Sequence, residues 1–173
     1  MTIHTEHPFA NPERDPLREF RGRAPAPVSV WTLGIPGGSF GQTVSSFALI
    51  EGEPNRVWGI VDPDEDFATH LSASQSTFVL NLLASGQERV AEVFANLAPS
   101  PGGPFNTGSW EESDWGPVLA RSAGWLGLRL ESLTEIGFRL AVIGQIEMIT
   151  TNSYPPLMHY RGDYIKLPSR PES

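Results

Sequence analysis

Between Gly124 and Ile149 apolar residues recur at every second position in two long runs. In "GWLGLRLESL", Leu126, Leu128 and Leu130 share one face. In "FRLAVIGQIEMI", Leu140, Val142, Ile146 and Met148 share one face. A period of two places successive side chains on opposite sides of a strand, so this half of the chain is predicted to form two long strands. Shorter runs of the same kind precede them. "PVSVWTLG" (27–34) alternates, and "TVSSFALI" (43–50) follows a Gly/Pro turn, so the pair reads as a hairpin or a bulged corner. "RVWGIVD" (56–62) is a third strand, and "TFVLNLL" (77–83) is apolar on both faces, as a central strand would be. "LMHYRGDYIKL" (157–167) closes the chain as a hairpin turning at Arg161-Gly162-Asp163.

Helices are few. "DPLREF" starts a short one, with Asp15 as N-cap and Pro16 at the first helical position. "DEDFATHLSAS" (64–74) places Phe67 and Leu71 four apart behind an acidic start. "SGQERVAEVFANLA" (85–98) carries a stripe of Val90, Val93, Phe94 and Leu97, with Ser85 as a plausible cap. Residues 99–117 form a long loop, a length that in compact domains is usually functional or disordered. Six or seven strands with two or three peripheral helices make a mainly β chain, and their order fits a closed antiparallel barrel. The expected division is an N-terminal tail over residues 1–26 with a short helix, one domain over 27–167, and a C-terminal tail over 168–173.

Charge and composition exclude several functions. The chain has 20 acidic and 12 basic residues, a net charge of -8, and Lys166 is its only lysine. Nucleic-acid binding needs a basic stripe to displace counterions, and none is present. Anionic membranes are disfavoured on the same ground. No apolar run approaches the roughly 18 residues of a membrane span. The absence of cysteine removes disulfides, thiolate metal sites and a cysteine nucleophile, and agrees with a cytoplasmic protein. His4 and His7 lie in a polar tail, and no metal-ligand spacing stands out. No glycine fingerprint follows a strand and no GxSxG elbow occurs.

The unusual local feature is three hydroxyls in a strand-like run. With regular alternation Thr43 and Ser45 point one way, and Val44 and Ser46 the other. Hydroxyls on a core-facing row need partners, which a planar heteroaromatic ligand with carbonyl and imide edges supplies; a strand edge facing water is the alternative.

From about Asp15 to Leu167 the chain resembles the flavin-reductase-like family of FMN-binding split barrels. The resemblance rests on ordered anchors: "APVSVWTLG", "GQTVSSFALI", "STFVLNLL" with Asn81, "PFNTGSW", "AGWLGLRLE" and "PPLMHYRGDY". It implies a homodimer that binds FMN, with FAD or riboflavin as alternatives, along Thr43, Val44, Ser45, Ser46 and Phe47. It implies an NAD(P)H:flavin oxidoreductase, taking NADH or NADPH and passing reduced flavin to a monooxygenase. Two departures qualify this. Glu65 and Asp66 fall where the family carries phosphate-binding serines, Ala68 at or near its threonine, and Thr69 is the nearest hydroxyl. Gly137, Phe138 and Arg139 stand where reductases often show Gly-Asp-His. His159 and Arg161 then become the candidates beside a nicotinamide, with Phe105, Trp110 and Arg139 as covering or substrate-contacting residues. The other reading is a non-catalytic split-barrel dimer that binds flavin or another planar ligand.

Overall fold

The computed structural model describes residues 15–74 and 77–167, so His4, His7 and the C-terminal tail over 168–173 lie outside it, while the part of the N-terminal tail that carries the short helix lies within it. Helix α1 (Pro16–Arg23) begins as expected, with the Asp15 carboxylate accepting from the Leu17 amide at 2.9 Å. Strands β1 (Ala26–Pro27), β2 (Ser29–Ile35), β3 (Gly38–Val44), β4 (Phe47–Ile50) and β5 (Arg56–Val61) follow. Next come α2 (Asp66–Ser74), β6 (Thr77–Leu82) and α3 (Glu88–Phe94). A single 3-10 turn (Pro104–Asn106) leads into β7 (Trp110–Ser113) and β8 (Gly116–Leu119). The long pair β9 (Gly124–Ile136) and β10 (Arg139–Thr151) and the hairpin β11 (Leu157–Tyr160) and β12 (Asp163–Lys166) complete the chain.

Seven strands make one antiparallel sheet in the order β3-β2-β6-β9-β10-β5-β4. Its two edge strands, β3 and β4, are joined by Ser45 and Ser46 alone. Three Cα–Cα steps reach about 11 Å at most. The end of β3 and the start of β4 therefore lie close together, although the two strands are not hydrogen-bonded to each other. Side chains crossing the hollow agree. Trp31 of β2 packs so closely over Gly59 of β5 that a Cβ there would collide with its ring. At Gly144 of β10 a Cβ would lie 2.8 Å from the Phe78 ring. Glycine at these two positions is the space the aromatic side chains occupy. Inside lie Trp31, Leu33, Val57, Phe78, Leu128 and Val142, covered at one end by Phe67 and Leu71 of α2. Trp31 and Phe78 rings stand 5.5 Å apart.

A second cluster lies on the outer face, where Val28, Val30 and Leu83 meet Val90, Val93 and Phe94 of α3. The link between layers is polar. The Asn81 amide nitrogen donates to the Val30 carbonyl at 3.1 Å and to the Thr32 hydroxyl at 3.2 Å. The Leu119 amide donates to the Asn81 side-chain oxygen at 2.8 Å. Thr32 in turn donates to the Pro117 carbonyl at 2.6 Å. These bonds fasten the β7–β8 hairpin to the sheet.

Several local expectations need correction. The run 43–50 is not one strand; it breaks at Ser45-Ser46, where the chain passes from one sheet edge to the other. Helix α3 is shorter than residues 85–98. Gly86 has φ 96° and Asn96 φ 57°, and these left-handed residues bracket it. Ser85 does not cap the helix; Gln87 holds the cap position, and its side chain bonds Ala84 and Ala120 rather than the helix end. Leu97 falls beyond the helix end and is exposed. The segment 99–117 is ordered by the 3-10 turn and by β7 and β8. The β11–β12 turn closes on Arg161 and Gly162, both at positive φ, which suits a two-residue hairpin.

Asn81→Ala removes the fastening and leaves buried backbone groups unpaired. It is expected to lower unfolding stability by roughly 1–3 kcal/mol. A urea denaturation curve checks this, as a shifted midpoint with unchanged slope.

Candidate functional site

The seam between the two sheet edges opens into a cavity of ≈ 420 Å³. Strand β3 brings Gln42, Thr43 and Val44 to it, and the link adds Ser45 and Ser46. Ile60 and Val61 of β5, Phe94 at the end of α3, and Arg21 of α1 face the same space. So do Asp62, Glu65 and Arg139. A ladder cannot continue through a two-residue jump between edges, so this is where the sheet leaves polar groups for something else to use. The Ser46 carbonyl still accepts from the Ile60 amide at 2.9 Å, which fixes the link against β5.

The three hydroxyls divide. Thr43 turns away from Gln42 and Val44 and donates to the Ala91 carbonyl of α3 at 2.7 Å. Its hydroxyl proton is spent on holding the helix. Ser45 and Ser46 are exposed and make no side-chain hydrogen bond among the described residues. Val44 is buried, and its carbonyl accepts from the Ser29 hydroxyl, which itself accepts from the Trp31 indole at 3.1 Å. Gln42 is buried at 7% exposure, yet its side-chain oxygen has no partner among the described residues. Leaving such a group unpaired costs free energy. A planar molecule with a donor edge and an apolar face fits beside Gln42, Val44, Ile60 and Phe94.

Asp62, Glu65 and Arg139 each have a side-chain partner. Arg139 donates to Asp62, and both line the cavity. The other Asp62 oxygen accepts from the Asp64 amide at 3.1 Å. Both oxygens of Glu65 accept from the Asn96 side chain, at 2.9 and 3.1 Å. Asp66 does not line the cavity.

The remaining predicted residues sit elsewhere. Phe47 is half-buried and packs on the inner cluster. Thr69 is exposed on α2, its hydroxyl turned back to the Glu65 carbonyl at 3.4 Å. Phe105 and Trp110 stack against each other and against Phe94, with centroids 5.0 and 5.4 Å from it, so they support the cavity wall from behind. His159 and Arg161 lie on the β11–β12 hairpin and are not among the residues lining the cavity. The His159 ring meets Tyr164 edge-on at 5.7 Å, and Arg161 lies over Tyr160. Burial, followed by the nearby charges of Glu92 and Glu88, pushes the Tyr164 phenol above its usual range. Sequence reasoning missed Gln42, Asp62, Asn96 and Arg21. Gln42 carried a signal, being polar and in phase with Val44.

Three comparisons bear on this geometry. A family model described as the flavin reductase like domain matches residues 21–168. The NADH:FMN oxidoreductase of Rhodococcus erythropolis is 28% identical over 150 residues, covering 83% of this chain and 77% of its own length. The reductase component of a flavin-dependent trigonelline monooxygenase from Acinetobacter baylyi is 28% identical over 130 residues, 74% of this chain and 40% of that protein. The solved NADH:FAD oxidoreductase of Streptomyces globisporus superposes with a TM-score of 0.81 at 25% identity, over 92% of this chain and 96% of that one.

The division of labour among the hydroxyls is testable without a ligand. Thr43→Val is expected to cost about 1 kcal/mol of stability through the lost bond to α3. Ser45→Ala with Ser46→Ala is expected to leave the urea midpoint unchanged.

Proposed function

The chain belongs to the flavin reductase like family, and from that premise we propose that the cavity at the Ser45-Ser46 link seats FMN. The protein is an FMN-dependent NADH:flavin oxidoreductase. It belongs with reductases that supply reduced flavin to a separate monooxygenase. The observation that supports the location is the conjunction of Gln42, whose buried side-chain oxygen is unpartnered, with two serines whose hydroxyls make no bond among the described residues, all lining one cavity. A flavin offers an imide donor edge, carbonyl acceptors and a polyol chain, and these match the groups in kind.

Bound FMN supplies the hydride acceptance and redelivery that no side chain can perform. The chain's own residues bind and orient. Ser45 and Ser46 present hydroxyls that donate to ring carbonyls or accept from the ribityl chain. Gln42 accepts from a donor edge. Val44, Ile60 and Phe94 keep one face of the cavity apolar, with Phe105 and Trp110 closing the wall behind Phe94 against water. Arg139, held by Asp62, directs a guanidinium into the cavity where a nicotinamide dinucleotide's polar groups approach. His159 and Arg161, on the terminal hairpin, remain candidates for contact with the dinucleotide.

The same reading covers the assembly. The curled sheet is a split barrel over residues 27–167, flanked by the tails 1–26 and 168–173. Two copies pair as a homodimer, supported by apolar side chains on the sheet's outer surface, Leu49 at 64% and Ile149 at 59% exposure. No helix among the described residues is long and apolar enough to cross a membrane. A cytoplasmic location agrees with the absence of cysteine.

Anaerobic stopped-flow absorbance with added FMN tests the activity. NADH is expected to bleach the flavin, and His159→Ala to slow the process about tenfold or more, within the range of orienting or acid–base groups. Bleaching at an unchanged rate would take His159 out of the site. No bleaching with either NADH or NADPH would overturn the reductase in favour of a flavin-binding protein.

A further inference from the structure

Four charged side chains face the cavity: Arg21, Asp62, Glu65 and Arg139. Three are already matched. Arg139 is paired with Asp62, and Glu65 holds the Asn96 amide with both oxygens. Arg21 is exposed and its guanidinium makes no hydrogen bond or ion pair among the described residues. It is nevertheless held in place. It lies in the last turn of α1, and the neighbouring Gly22 carbonyl accepts from the Arg161 amide at 3.0 Å, tying that turn to the β11–β12 hairpin.

Gln42, whose side-chain oxygen has no partner among the described residues, lines the same cavity. A ligand that satisfies both needs donors at one end and an anionic acceptor at the other. The start of α2 cannot serve the anion. Asp66 is its first residue and Glu65 precedes it, so carboxylates already occupy the positive end of the helix and repel a second anion. A guanidinium, by contrast, offers a planar fork of N–H donors that meets phosphate oxygens two at a time.

The geometry points to Arg21 as the residue that binds the phosphate of a flavin nucleotide, from the N-terminal helix. Glu65 then acts in the opposite sense, as a pinned negative charge on the same wall that limits how tightly the phosphate is held. This inference rests on the flavin reading above. The shared chemistry is a phosphate on the ribityl end, present as a monoester in FMN and as part of a diphosphate in FAD.

The test is a titration of the full chain with riboflavin, FMN and FAD, followed by quenching of tryptophan emission. The parent is expected to bind FMN at least tenfold more tightly than riboflavin. Arg21→Met should remove most of that advantage and leave riboflavin binding unchanged, while Arg21→Lys restores part of it. Glu65→Gln should strengthen FMN binding several-fold without affecting riboflavin. A parallel loss for FAD in Arg21→Met assigns Arg21 to the phosphate that both nucleotides share; a loss for FMN alone assigns it to the monoester. An FMN-to-riboflavin ratio unchanged by Arg21→Met overturns the inference while the flavin site stands. A parent that binds no flavin overturns the flavin reading, and this inference with it.

Discussion

Two residues carry the chain from one edge of a seven-stranded sheet to the other, and the rest of the molecule is arranged around that short reach. A link of Ser45 and Ser46 forces the sheet to curl. Curling brings β2 opposite β5, which makes Trp31 a ring lying across the hollow instead of along a face. That in turn requires glycine at 59. The site is a product of the same constraint. The regular ladder breaks at the link, and the Ser45 and Ser46 hydroxyls there make no side-chain hydrogen bond among the described residues.

The electrostatics of the seam follow from pairing and not from net charge. The chain carries a formal charge of -8, which suggests an environment hostile to anions. Around the cavity, however, Asp62 is answered by Arg139 and Glu65 by Asn96. Asn96 can reach Glu65 because it sits at φ 57° just past the end of α3. The helix stop and the pinned carboxylate are one feature: the residue just past the end of α3 is also the one whose amide holds the acid preceding α2.

The long strands, the buried central strand and the closing hairpin were legible because period-two alternation needs only local sequence. The family, too, was legible from ordered motifs spread over most of the chain. The break at Ser45-Ser46 was not, since nothing local tells a strand that its continuation belongs to the far edge of the sheet. Leu97 matched a helical stripe, but Asn96 had already turned the backbone left-handed and sent it into solvent. The candidate site was half legible. The serines stood out by composition, whereas Thr43 was read with them although its proton goes to Ala91. Asp62 and Arg139 are 77 residues apart, so no spacing rule could pair them. Arg21 resembled any basic residue at a helix end.

The ladder beside the second core joins the two ends of the chain. Ala26 is paired with His159, the Val28 amide donates to the Leu157 carbonyl, and the Leu157 amide donates to Leu83. Ala26 and Pro27 are therefore held by a hairpin far along the sequence, whereas β2 has its β3 partner close by. Closing so long a loop costs more chain entropy than closing the β2–β3 hairpin, so this outer layer is the part of the fold that depends most on long-range pairing.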